Sequence, residues 1–207
     1  MMQHSNLKSS ADDIAFTAKA VHTTHTYGKF QIYIAKNVHT AQEHVVLVKG
    51  DIHKQENVLC RLQSECLTGI ALDSAECDCK EQLEQALAMI AQRNQGILIY
   101  LNQEGRGHGL TKKILALANK NKGMDTYSAV EALGEAPDIR DFSEAAAIIR
   151  KLQVVSIELL TCNPDKIAGM EQNGVRIAEI IPLTVTPTSL TRKHLLAKKA
   201  RGFLLNL

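Results

Sequence analysis

Three cysteines fall close together as Cys66-x10-Cys77-x-Cys79. Thiolates are soft ligands suited to zinc. Four protein ligands close a structural zinc site, whereas three leave a position for water that the metal ionises near neutral pH. No fourth Cys or His is close in sequence, His53 and Cys60 being the nearest, so the spacing favours a catalytic over a structural zinc. The alternative is three buried, inert thiols, since free cysteine is often a core residue. Cys162 brings the total to five. An odd count, in a chain read as cytoplasmic, speaks against a disulfide framework. The motifs Ser64-Glu65-Cys66 and Cys77-Asp78-Cys79 differ from the H-x-E and P-C-x-x-C signature of zinc nucleobase deaminases. Glu65, beside a ligand, could still do acid–base work.

A second chemistry is anion binding. Glu104-Gly105-Arg106-Gly107-His108-Gly109 follows an apolar strand and opens a helix. Glycines let backbone approach phosphates, and a helix N-terminus favours anions. Arg106 could add a bidentate contact. The turn is neither a Walker loop nor a dinucleotide fingerprint, and a plain strand-to-helix connection is the alternative. Thr161, Asn163 and Lys166 surround another helix start after a strand ending at Leu160. Two such strand ends in one sheet fit a nucleotide phosphate site. Asp138-Ile139-Arg140-Asp141 would be a solvated charge cluster on an ordinary loop. Near zinc and phosphates, Asp138 could be a general base and Arg140 a phosphate-handling group.

The elements that must position these residues follow from periodicity. Phe30, Ile32 and Ile34 alternate with other residues, predicting a half-buried strand. His44 to Val48 and Asn57 to Leu62 are two more strands. Leu83, Leu87 and Ile90 form an apolar helical stripe within Glu81 to Arg93. Ile97 to Leu101 reads as a buried strand, and Leu110 to Asn119 as a helix. Ser143 is a candidate N-cap for a helix to Leu152. A strand at Val154 to Leu160, a helix from Pro164 to Gly174, a strand at Val175 to Ile181 and a helix at Leu195 to Leu204 complete the pattern. Pro182 to Ser189 reads as a surface loop. Strands first, then alternating helices and strands, predict an α/β (α+β) domain with a mixed sheet flanked by helices. Residues 1–26 are expected to be an N-terminal extension, mobile or loosely docked, and 27–207 one catalytic domain.

Composition narrows the classes. At 207 residues the chain has room for one ordinary domain. A net charge of +2 argues against a nucleic-acid coat, so anion binding must come from local placement. With no Trp, four Phe and four Tyr, an aromatic platform for single strands is not expected. No apolar run approaches the roughly 20 residues of a membrane span. The polar start, without a signal-peptide segment, leads to the expectation of a cytoplasmic protein without membrane or nucleic-acid partners.

Several segments together resemble GTP cyclohydrolase II. They are Arg61-Leu62-Gln63-Ser64-Glu65-Cys66-Leu67-Thr68-Gly69, Cys77-Asp78-Cys79 with Gln82-Leu83-Glu84, and Gln103-Glu104-Gly105-Arg106-Gly107-His108-Gly109-Leu110. Gly123-Met124-Asp125-Thr126, Asp138-Ile139-Arg140-Asp141-Phe142 and Leu160-Thr161-Cys162-Asn163-Pro164 continue in the same order. The resemblance covers Tyr27 to the C-terminus. It implies a zinc- and magnesium-dependent homodimer that opens the imidazole ring of GTP, releasing formate and pyrophosphate. The product would be a diaminopyrimidinone ribosylamine phosphate, the first committed intermediate of riboflavin synthesis. By position, Cys66, Cys77 and Cys79 would bind one zinc. Arg61, Leu62, Gln63, Ser64, Glu65, Gln82, Glu104, Gly105, Arg106, Thr126, Thr161 and Lys166 would contact the nucleotide. Asp138 would accept a proton. Arg140 would attack the α-phosphorus, giving a covalent guanylyl-enzyme, before water activated at the metal adds at C8 and a second hydrolysis frees formate.

The departures from the family pattern cluster around these motifs. Leu117 stands where the family usually has Tyr, Glu76 where it has Arg, and Ile70 where it has Asp. Tyr127-Ser128-Ala129-Val130 replaces Val-Glu-Ala-Asn, and Glu135 replaces Phe. His108 replaces an apolar residue, while Lys80 and Glu81 replace a small and an aromatic one. They motivate two alternatives: partial chemistry ending at a formamidopyrimidine, or another nucleotide or base as substrate. A non-catalytic zinc-containing binding module is a third, against which Asp138 and Arg140 argue.

Overall fold

The computed structural model describes residues 10–205. Its strands are β1 (Ile14–Thr24), β2 (Gly28–Asn37), β3 (Glu43–Lys49), β4 (Val58–Ser64), β5 (Gly96–Leu101), β6 (Ile157–Leu160) and β7 (Ile177–Ile181). Its helices are α1 (Cys79–Arg93), α2 (Gly109–Asn121), α3 (Ser128–Glu131), α4 (Ser143–Lys151), α5 (Pro164–Gln172) and α6 (Arg192–Ala200). The strands form one sheet in the order β1-β2-β3-β5-β4-β6-β7. From β1 to β5 the neighbours are antiparallel; from β5 through β4 and β6 to β7 they are parallel. This is the mixed α/β sheet expected.

The core explains why β5 is a continuous apolar run. Ile97, Ile99 and Leu101 face Ala145 to Ile149 of α4 and Met170 of α5. Leu98 faces the other way, onto Ala86 and Ile90 of α1. A strand covered on both faces cannot alternate with polar residues. Each fully buried Ile or Leu contributes roughly 1.5–3 kcal/mol.

Two local expectations change. Ile14–Thr24 falls in the stretch expected to be a loose extension and is instead an edge strand paired along its length with β2. Most of its residues are exposed, so it lacks the alternation that marks a half-buried strand. Residues 1–9 of that extension lie outside the described residues. Ser143 is the first helical residue of α4 rather than its cap; the Asp141 carboxylate accepts its N–H at 2.5 Å.

The parallel half dictates where a ligand can sit. The chain leaves β4, crosses by α1 to β5 on one side, and later returns to β6 on the other side of β4. That reversal opens a crevice between the carboxyl ends of β4 and β6, the usual ligand position in open α/β sheets. No helix of the described residues is long and apolar enough to cross a membrane.

Candidate active site: three thiols beside unpaired cations

A cleft of about 230 Å³ opens at those strand ends. After β4 the chain passes through Glu65 and Cys66 into one wide π-type turn, Leu67–Ala71. It returns through Cys77 and Asp78 and starts α1 at Cys79. The three sulfurs lie within 4.8 Å of one another, with Cys66 and Cys77 at 3.6 Å. Tetrahedral zinc with Zn–S near 2.3 Å would space sulfurs about 3.8 Å apart. A Cβ at Gly69 would come within 2.6 Å of Cys77 Sγ and 3.0 Å of Cys66 Sγ, so the turn cradles the sulfurs only because residue 69 has no side chain. Among the described residues no fourth His, Cys or carboxylate joins the group. The donor set therefore fits a zinc with one open position.

The three thiols perturb one another's acidity. Hydrogen bonds from Cys77 and Cys79 hold the Cys66 thiol well below its ordinary range, against burial and with help from Lys113. The same bonds push Cys77 up to about 11 and Cys79 well above the ordinary thiol range. A metal would replace the remaining protons. Lys113 Nζ lies 3.2 Å from Cys66 Sγ and 2.7 Å from Glu104 Oε1. Glu104 also accepts the Leu67 N–H at 2.7 Å and the Gly105 N–H at 2.8 Å, tying the glycine turn to the cysteine turn.

The glycine turn bends sharply. Gly105 and Arg106 are both left-handed, with φ of 61° and 59°. For Arg106 that geometry costs about 1–3 kcal/mol. It is offset by bonds to Thr126 O at 3.2 Å, Thr126 Oγ1 at 3.0 Å and Pro137 O, and by stacking on Tyr127 at 3.8 Å.

The same cleft also holds buried cations. Arg61 is 4% and Lys166 5% exposed. Arg61 donates to Gln63 Oε1, Gln82 Oε1 and Leu160 O at 2.7–3.1 Å. Lys166 Nζ donates to Leu62 O at 2.6 Å. Among the described residues neither has a carboxylate within ion-pair distance. Burial brings Arg61 down to about 10. It holds Lys166 well below the ordinary amine range, with Arg61 and Arg140 adding to the effect.

Arg140 differs. Asp138 holds it along one edge, at Nε (2.9 Å) and Nη2 (2.5 Å), leaving Nη1 towards Ser64 Oγ at 3.3 Å. Burial pushes the Asp138 carboxyl up, but the Arg140 guanidinium pulls it below the ordinary carboxylate range. It is ionised at neutral pH.

Of the residues singled out from sequence, Arg61, Gln63, Ser64, Glu65, Cys66, Cys77, Cys79, Gln82, Glu104, Gly105, Arg106, Thr126, Arg140, Thr161 and Lys166 line this one cleft. Leu62 does not: its side chain is buried in the core and only its carbonyl reaches Lys166. Asp138 sits beside Arg140 rather than in the lining. Sequence reasoning missed Lys113, His194 and Lys198, which also line the cleft. Isolated basic residues on helices carry no spacing signal; only packing brings them here.

A model of the family described as GTP cyclohydrolase II matches residues 16–182. The chain belongs to that family. It is 44% identical over 182 residues to "GTP cyclohydrolase-2" of Histophilus somni, covering 87% of this chain and 84% of the relative. To "GTP cyclohydrolase-2" of Tolumonas auensis it is 43% identical over 175 residues, covering 84% and 89%. To "Riboflavin biosynthesis protein RibBA" of Endomicrobium trichonymphae it is 41% identical, covering 84% of this chain but 43% of the relative. The chain thus spans somewhat less than half of such longer relatives.

The positions that depart from the GTP cyclohydrolase II pattern now have addresses. Leu117 and Glu76 line the cleft, and Glu76 is paired with Lys120 at 2.8 Å. His108 clips the glycine turn to the loop ahead of Asp138, donating from Nε2 to Ala136 O at 2.8 Å. Glu135 pairs with Lys112 at 2.5 Å.

Proposed function

We propose that this chain is a zinc-dependent hydrolase that opens the imidazole ring of GTP. It releases formate and pyrophosphate and leaves a diaminopyrimidinone ribosylamine phosphate for riboflavin synthesis. The observation that carries this reading is the pairing of a three-thiol metal site with two buried, carboxylate-free cations in one cleft. Buried charge without a partner is unfavourable, and a triphosphate supplies the partner.

In the proposed first step Arg140 Nη1 bonds to the α-phosphorus. The bond from that phosphorus to its bridging oxygen breaks, pyrophosphate leaves, and the guanidinium proton passes to Asp138. Arg61, Arg106 and Lys166 neutralise charge on the phosphate oxygens, and their fixed positions keep reorganisation small. Water hydrolysis of the phosphorus–nitrogen bond restores Arg140. Glu104 and Lys113 hold Cys66 and the glycine turn in register beside the purine. When bound by Cys66, Cys77 and Cys79, zinc supplies the Lewis acidity that activates water for ring opening. Magnesium accompanies the nucleotide. A homodimer belongs to the same proposal, supported by the family and by exposed Leu110, Ile114 and Leu115 on α2.

Zinc-loaded protein incubated with GTP and Mg²⁺ is expected to give formate and pyrophosphate in equal amounts, with the absorbance of a diaminopyrimidinone. Intact GTP after prolonged incubation would contradict the reading. One observation favours a second outcome: Leu117 lines the cleft and offers no hydrogen bond to the opening ring. Pyrophosphate and a formamidopyrimidine without formate would select it.

A further inference from the structure

Among the residues lining the cleft, Tyr127 is the only tyrosine, and no proposed step uses its hydroxyl. The ring is held by two guanidinium groups. That of Arg106 lies 3.8 Å from the ring centroid and that of Arg201 4.8 Å. Both are anchored in turn, Arg106 by Thr126 and Arg201 by Glu131 at 2.7 Å. Asp125 fixes the backbone beneath the ring, accepting the Tyr127 N–H at 2.8 Å and the Ser128 N–H at 3.2 Å. The hydroxyl differs from the ring. Its oxygen makes no hydrogen bond among the described residues. Nor is it one of the fully enclosed side-chain atoms without a partner, which belong to Gln103, His108, Asn173 and His194. Tyr127 is 5% exposed, and the surface it keeps therefore includes the hydroxyl. A ligand in the cleft can reach it.

The charges around that hydroxyl are mostly positive. Burial pushes the phenol above the ordinary tyrosine range, while Arg106, Lys198 and Arg140 work against the rise and Asp138 adds to it. The phenol therefore keeps its proton near pH 7 and offers a donor. The carboxylates nearby are already engaged. Arg140 holds Asp138 at Nε and Nη2, and Lys198 holds Asp78 at 2.7 Å. A free donor set among fixed cations matches an anionic oxygen, because the cations draw negative charge to that spot and the phenol can bond it. Arg140 Nη1 is the atom that faces the α-phosphorus in the proposed first step, so the α-phosphate is the group that arrives here. Position 127 is also one where the chain departs from the family pattern. Valine there would have no donor, so the contact belongs to this chain.

We propose that Tyr127 is a phosphate-binding residue: its hydroxyl donates a hydrogen bond to an α-phosphate oxygen of the nucleotide, while its ring seats Arg106 beside the same group. The inference rests on the cleft being a GTP site. The proton stays on the phenol throughout, so the contact binds and orients the phosphate without a transfer step. The ring costs nothing to order when the nucleotide arrives, because two guanidinium groups already hold it.

Two substitutions separate the hydroxyl from the ring. Tyr127→Phe removes only the oxygen, and because that oxygen has no protein partner its removal should leave the fold intact. Tyr127→Leu removes the seat of Arg106 as well. Wild type and both variants are compared after their zinc content and melting temperatures are measured, with GMP and guanosine as competitive inhibitors of GTP turnover. We expect Y127F to melt within about 1 °C of wild type and to bind GMP about tenfold more weakly, with guanosine unchanged. Y127L should weaken GMP further, to about 10²-fold, as Arg106 loses its stacking partner. At subsaturating GTP, pyrophosphate and formate should fall together in Y127F. Equal weakening of GMP and guanosine would put the contact on base or sugar. Inhibition by GMP unchanged in Y127F would mean that the hydroxyl touches no phosphate, and loss of formate alone would place it at ring opening. Each of these overturns the inference and leaves the GTP reading standing. A wild-type protein that consumes no GTP overturns that reading and the inference with it.

Discussion

At the metal corner of the cleft the charges are matched inside the protein. Lys113 faces both Cys66 and Glu104, and Asp78 faces Lys198. Elsewhere in the cleft Arg61 and Lys166 are buried more deeply than Lys113 and Lys198 but bond only to neutral oxygens. The two corners share one sheet and one crevice, so their difference is not an accident of exposure. The first is organised to hold a cation among thiols. The second carries an electrostatic cost that an arriving anion would offset. Where a fold leaves its own groups unsatisfied, it shows what it binds.

The comparison breaks most sharply at a ligand cysteine. Cys79→Ser should lose zinc and lower formate release at least about 10³-fold, because the activated water goes with the metal. Pyrophosphate release, which the proposed first step assigns to Arg140 and Asp138, should stay within about tenfold of wild type. Parallel product assays check this, and equal loss of both products would merge the two corners into one.

Lys166→Met tests the other corner in two opposed directions. It should raise KM for GTP by about tenfold or more, since a buried charge-assisted contact is lost. It should also raise the melting temperature of ligand-free protein by about 2–4 °C, since a buried unpaired charge is removed. Linkage gives the sign with pH. Lys166 has a folded-state pKa below its ordinary 10.5, so between those values the unfolded chain holds a proton that the folded one has released. Stability contributed by this group therefore rises with pH over the window between its folded-state pKa and 10.5. Denaturant titrations of wild type and K166M across it should show the rise in wild type only. A variant less stable at every pH would mean that Lys166 is satisfied without a ligand.

Gly69→Ala sharpens the metal side. A methyl group within 2.6 Å of Cys77 Sγ forces a shift costing about 1–3 kcal/mol, and zinc affinity should fall roughly tenfold in a chelator competition titration. The smallest effect belongs to the antiparallel half of the sheet. Lys36–Glu43 is an exposed pair at 3.4 Å, and Lys36→Met should change stability by less than about 0.5 kcal/mol with product ratios untouched.

How much of this was legible depended on which interactions the residues make locally. The strand at Ile97 to Leu101 and the helix after Cys79 announce themselves, because burial on both faces or on one stripe is written in apolar spacing. The cysteines and the glycine turn show by residue type. β1 does not, because an edge strand exposed along most of its length needs no apolar alternation. Lys113, His194 and Lys198 escaped because their roles arise from packing α2 and α6 against the cysteine turn. Asp138 was readable as a partner for chemistry, but not its position along one edge of Arg140.

The most direct test compares metal-depleted and zinc-reloaded wild type on GTP with Mg²⁺, following formate and pyrophosphate in the same samples. Two corners with separate work predict that depletion abolishes formate, that zinc restores it, and that pyrophosphate persists throughout within about tenfold. Pyrophosphate falling and recovering in step with formate would contradict the division.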